Sequence, residues 1–160
     1  MEQGAKTVHE AILKVETEVE VPVDAVRSWF LSLEDHPERY AFETHGGFEF
    51  QEGGFGEVGA RFRTREQFLF LRLELPFELT EVRESGFVFR LVRPAALRIW
   101  GSFEIEKKTQ SQTLLLLQVG SETRAGRLFL RCYPASVAVR EQIHREVVHI
   151  KQSVEGSYHV

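Results

Sequence analysis

The segment from Tyr133 to about Val154 constrains this chain more than any other. Ser136, Val139, Ile143, Val147, Ile150 and Val154 recur at steps of three and four and so share one face of a helix. Arg140, Glu141, Arg145, Glu146 and Lys151 lie beside or opposite that stripe. Pro134 suits the first turn, where its missing N–H costs nothing, and Gly156 suits the stop. An amphipathic helix of about 20 residues cannot bury its own apolar stripe. Residues from Glu43 to about Thr123 read as strands, and they are the natural partner surface. The expected architecture is a curved sheet wrapped around one long helix.

The rest of the chain fits that frame. Residues 1–9 read as a short polar lead-in. From Ala11 to Val21 polar and apolar residues alternate, which predicts a half-buried strand. Pro22 ends it, and Pro22-Val23-Asp24 opens a helix with Val23, Val26, Phe30 and Leu33 on one face. Residues 34–40 form either a second short helix starting at Pro37 or a turn. Six strands follow, over Glu43–Gln51, Glu57–Phe70, Leu71–Arg83, Phe87–Val92, Ala96–Lys107 and Gln112–Thr123. Gly53-Gly54-Phe55-Gly56, Glu84-Ser85-Gly86, Arg93-Pro94 and Lys108–Ser111 punctuate them. Between the second and third of these strands, Gln67–Leu71 reads as a loop, a bulge or continuous strand. Connections this short call for antiparallel meanders rather than helical crossovers. Ala125-Gly126-Arg127 marks the passage to the final helix, and residues 128–132 can extend either neighbour.

Bulk properties narrow the function classes. A chain of 160 residues with 42% hydrophobic and 28% charged content reads as one soluble domain, residues 1–160, with a real core. A net charge of −4 provides no broad basic field, so nucleic acid is not the expected partner. No apolar run reaches the roughly 20 residues of a membrane span, and residues 1–14 lack a signal-peptide core. One cysteine, Cys132, permits no internal disulfide, and the expected location is the cytoplasm. Thirteen phenylalanines against three tyrosines suggest a large aromatic-lined interior, because Phe carries no polar handle.

The stretches VETEVEVPVDAVRSWF (15–30), HPERY (36–40), GEVGARFRTR (56–65), ELTEVRESGFVFRL (78–91) and HREVVHIKQSVEG (144–156) span nearly the whole chain. In them, and in the order of elements, the sequence resembles the START-like or SRPBCC superfamily, within it the polyketide cyclase/dehydrase and lipid-transport group. That resemblance implies an α+β helix-grip fold, with about seven antiparallel strands curved around a long C-terminal helix. It also implies a cavity between the two. The superfamily includes carriers of sterols, lipids and quinones, hormone receptors, aromatase/cyclases and chaperone co-activators, and fold alone does not choose among them. Its oxygenase branch needs a two-histidine-one-carboxylate iron site and a cluster domain, which a chain with a single cysteine does not supply.

Alternation nominates the lining of such a cavity. On the second of the six strands Phe62, Thr64, Glu66 and Phe68 share one face, taken as inward, and Arg61, Arg63, Arg65 and Gln67 the other. Glu66 inward would be an acid/base or a hydrogen-bond anchor in apolar surroundings. In the other register Glu66 joins the arginines outside, and Arg63 and Arg65 turn inward to hold a carboxylate head group. Phe77, Phe89 and Phe103 extend the aromatic face, Trp100 either floors the pocket or covers the outer sheet, and the last strand offers Gln118. The long helix would contribute Ile143, His144 and Val147.

Each of these residues also has a plain packing role open to it. No metal site is expected: His144 and His149 are five apart, wrong for one helical face, and His36 and His45 have no paired cysteine. Cys132 has no evident base, and Gly53–Gly56 reads as a hairpin turn, with a gating role implied by the resemblance alone. No cofactor is expected. Three functions remain in play: a carrier of a small hydrophobic or aromatic molecule, placed first; an enzyme of the cyclase, dehydratase or hydrolase type; and a protein-interaction module. A solvent-connected cavity holding a buried, perturbed carboxylate or arginine favours the enzyme, a closed cavity without titratable lining the carrier, and a filled core with an exposed apolar patch the interaction role.

Overall fold

A computed structural model describes residues 10–159. The polar lead-in expected at residues 1–9 lies outside the described residues. Strands β1 (Ala11–Val19), β2 (His45–Glu52), β3 (Arg61–Phe68), β4 (Leu71–Arg83), β5 (Gly86–Leu91), β6 (Ile99–Lys107) and β7 (Thr113–Ser121) form one antiparallel sheet in the order β1-β7-β6-β5-β4-β3-β2. Helix α1 (Val23–Leu31) and a 3-10 turn (Pro37–Tyr40) separate β1 from β2. Helices α2 (Arg124–Arg131) and α3 (Ala135–Tyr158) follow the sheet. This is the α+β helix-grip fold.

The helical stripe does what its period requires. Ile143, Val147, Ile150 and Val154 are buried in the main core, with Val139 packed beside them. Burying one such aliphatic side chain stabilises the fold by roughly 1.5–3 kcal/mol. Phe30 of α1 fills the opposite side of that core, among Phe55, Phe87 and Phe103. Trp29 Nε1 donates to Ser153 Oγ at 3.1 Å and ties α1 to α3.

Several boundaries differ from the sequence reading. Helix α3 runs through Gly156 to Tyr158, because nothing crowds that position and the glycine's cost at a helix end is small. The Gln67–Leu71 stretch, open to three readings in the sequence, is a tight β3–β4 hairpin, turned by Leu69 at φ 55°. The passage after β7 is a helix in its own right, with the Thr123 hydroxyl accepting from Gly126 N–H as an N-cap. The Gly53–Gly56 segment belongs to a longer connection, and its Phe55 is fully buried among Phe30, Phe48, Phe62 and Phe87.

Candidate functional site

A cavity of about 470 Å3 lies between the concave face of the sheet and α3. Period two builds its wall. Phe62, Thr64, Glu66 and Phe68 of β3 all face it, as do Phe77 of β4 and Phe89 of β5. Phe62 stacks on Phe77 with ring centres 5.4 Å apart, and Phe89 meets Phe77 edge-on at the same distance. Phe103 of β6 and Ile143 of α3 close the floor and the roof. Gly101 has a specific part here: a Cβ on it would sit 2.5 Å from the Phe89 ring, so only a glycine lets that ring lie across β6.

Three of the residues nominated from sequence lie elsewhere. Gln118 alternates with the inward Leu117 and Val119, so it faces a second, more polar space on the other side of the sheet with Ser102 and Glu104. His144 is exposed, one residue round the helix from the inward Ile143. Val147 is buried in the core and does not reach the cavity. Trp100 borders both spaces, its ring standing where a Cβ on Gly120 would be.

The register around Glu66 is resolved. β2 pairs with β3 so that His45 stands opposite Glu66 and Phe48 opposite Thr64, with an irregularity between the two pairs. Glu66 therefore points inward, and Arg63 and Arg65 point outward, where they meet Glu49 and Glu74. Among the described residues, no arginine lines the cavity.

One end of the otherwise apolar space is polar. The Thr64 hydroxyl donates to Glu66 Oε1 at 2.8 Å. His45, 1% exposed, places Nε2 3.5 Å from Glu66 Oε1 and 3.1 Å from Glu146 Oε1. Glu146 comes from α3, so the imidazole is met by a carboxylate from each wall. Tyr40 and Phe42 pack on the imidazole, and Gly47 N–H donates to its Nδ1 at 2.9 Å. Gln142 Nε2 donates to the Thr44 carbonyl at 3.0 Å, which fixes the amide orientation and leaves its Oε1 buried without a partner.

These groups perturb one another. Burial raises Glu146 above the ordinary carboxylate range, His45 pulls it down and Glu66 pushes it up again. Burial opposes charging of His45, but Glu146 and Glu66 more than offset it and hold the ring up at about 9. Burial, then Glu146 and Glu66, push the Tyr40 hydroxyl well above its usual value. Charging His45 requires a proton on Nδ1, where the Gly47 N–H already points. With that contact in place, the neutral form of the ring carries its proton on Nε2.

The ligand atoms of His45, Glu66 and Glu146 lie within 4.8 Å of one another, a spacing a divalent cation with bonds of about 2.0–2.6 Å can bridge. Sequence spacing does not anticipate this grouping. A metal needs a ring lone pair, however, and the Gly47 contact leaves Nε2 carrying a proton. His45, Gln142 and Glu146 are the residues that sequence reasoning misses. Their only linear signals are a histidine between Phe42 and Phe48, and Ala138, Gln142 and Glu146 running at steps of four beside the apolar stripe.

No protein-family model and no curated protein matches the sequence. Solved structures match in three dimensions. The KanY protein superposes with a TM-score of 0.71 at 11% identity, covering 92% of this chain and 98% of its own. A START superfamily protein from Mycobacterium smegmatis gives 0.62 at 15% identity, covering 91% and 94%. The di-domain ARO/CYC protein BexL of the BE-7585A biosynthetic pathway gives 0.64 at 15% identity, covering 89% of this chain and 45% of its own. Identities this low carry the fold alone. The chain has the START-like, or SRPBCC, fold.

Proposed function

We propose that this chain binds a small hydrophobic or aromatic molecule, of lipid, polyketide or similar character, in the cavity between the sheet and α3. The observation that carries the reading is the make-up of the wall. About 470 Å3 is bounded by aromatic and aliphatic side chains from β2 to β7, α2 and α3, with the polar groups gathered at one end. Apolar walls with a few directed polar groups are how small-molecule pockets are built, and a close-packed core would leave no such space. The fold neighbours include a START superfamily protein and an ARO/CYC protein, which supports a ligand of this kind.

Native mass spectrometry of protein purified from its own host, set against the denatured mass, tests the proposal. A co-purifying small molecule is the expected result, and Phe89→Ala should weaken uptake of an aromatic dye. Bare protein that also takes up no dye would sink the reading.

A second reading, acid/base catalysis on the bound molecule, is favoured by one observation: a buried carboxylate raised by burial, Glu146, touches the cavity beside His45 and Glu66. Under that reading Glu66→Gln or Glu146→Gln retains binding and loses turnover of a co-purified molecule. Loss of binding without any change in that molecule would count against it. The interaction-module reading calls for a filled core with an exposed apolar patch, and the cavity speaks against the first of these.

A further inference from the structure

We infer that the polar end of the cavity receives a protonated amine carried on an apolar body. The inference deepens the binding reading above and rests on it. Its first ground is charge. Glu66 on β3 and Glu146 on α3 converge on one imidazole. Among the described residues, no Lys or Arg lines the cavity. Arg63 and Arg65 of β3 are committed to Glu49 and Glu74 on the other face. Two carboxylates set against a single imidazole in low-dielectric surroundings are costly to keep ionised until a positive partner reaches them.

The second ground is a count of donors and acceptors. The Thr64 hydroxyl already donates to Glu66, and the Gln142 amide N–H to Thr44. The His45 N–H faces the two carboxylates. Tyr40 packs on the imidazole without lining the cavity. What is left toward the cavity are mainly acceptors: carboxylate oxygens of Glu66 and Glu146 and the buried, unpartnered Oε1 of Gln142, against one donor without an aligned hydrogen bond, His45 Nε2, 3.1 Å from Glu146 Oε1. An ammonium brings three donors and one positive charge, an alcohol one donor and no charge, and a carboxylate brings neither donor nor favourable charge. A divalent cation would meet the proton on His45 Nε2. The aromatic wall of Phe62, Phe77 and Phe89 then takes the apolar body.

The test is a matched series titrated calorimetrically into the whole chain at pH 7.5: 4-phenylbutylamine, 4-phenylbutanol and 4-phenylbutyrate. The amine should bind about tenfold or more tightly than the alcohol, and the carboxylate most weakly, in line with hydrogen bonds to charged groups. Glu66→Gln, or Glu146→Gln if the first fails to fold, should bring the amine within about threefold of the alcohol while the alcohol's own affinity holds. If the alcohol or the carboxylate matches the amine on the unaltered protein, the amine proposal is wrong and the cavity reading stands. If none of the three binds, both fall. Micromolar binding of Mn2+ alone, lost in Glu66→Gln, would replace the amine with a metal.

Discussion

The two ends of the cavity are built on different principles. The aromatic wall spreads its contribution over many rings of β3 to β6, each making non-directional contacts with several others. The polar end rests on a few atoms of His45, Thr64, Glu66, Gln142 and Glu146, and each depends on the position of the next. A wall of the first kind tolerates change in proportion to the volume removed. A cluster of the second kind responds to the loss of a single proton or oxygen.

The largest expected effect tests where wall ends and core begins. Phe62→Ala should cost about 3–4 kcal/mol in denaturant unfolding, because Phe62 is buried against Phe48, Phe50, Phe55 and Phe77. Phe89→Ala should cost less, about 1–2 kcal/mol, because Phe89 borders space that is already open. Equal losses would mean that the wall is packed as core, and the contrast between the regions would disappear.

The next effect belongs to the polar end and carries a sign. A folded-state pKa of about 9 for His45, against an ordinary 6.5, means that the native protein holds the proton more tightly. The stability this contributes is full below about 6.5 and is lost as pH rises through about 9. Glu146, also raised, adds a loss of the same sign beginning on the acid side. The groups facing His45 are Tyr40, Glu66 and Glu146. Thermal or urea unfolding between pH 6 and 9.5 should therefore show a decline of the order of 2 kcal/mol. His45→Gln should flatten most of it. If the ring charges, the Gly47 amide resonance should move with the same midpoint, since its hydrogen bond to Nδ1 must break. A slope without a Gly47 shift would assign the proton to Glu146 instead.

A smaller effect links the regions. Gly101→Ala puts a methyl group into the Phe89 ring and should turn that ring into the cavity. We expect a stability change within about 1 kcal/mol and a several-fold loss of dye uptake, read by fluorescence titration. Unchanged uptake would show that Phe89 does not shape the ligand space. The smallest effect lies outside both ends. Lys151 meets Glu155 at 2.7 Å and the Glu18 carbonyl at 2.6 Å near the surface, and Lys151→Ala should cost no more than about 1 kcal/mol. A larger loss would place α3 anchoring at its C-terminal end rather than in the buried stripe.

Much of this is legible in the amino-acid sequence. Alternation in β3 puts Phe62, Thr64, Glu66 and Phe68 on one face, and they do share the cavity wall. The α3 stripe, the proline between β1 and α1, and the short connections between strands are equally readable. The misses have physical causes. Gln118 and the inward Leu117 sit on a strand apolar on both faces, where alternation cannot say which side is in. Glu146 reads as part of the polar flank of its helix, because a charged helical residue is usually solvated. His45 sits before two glycines at a strand's beginning, where no periodicity operates.

The sequence by itself determined most of the elements, their order and the alternation within the strands, because backbone geometry imposes periods of two and 3.6 on any chain that hides its apolar residues. Only the tertiary structure decided that His45, Glu66, Gln142 and Glu146 meet. They stand on β2, β3 and α3, up to 101 positions apart (45 to 146). Their convergence depends on the β2–β3 register and on how α3 lies across the sheet. Neither is written in a local period, and both are set by the packing of the whole core.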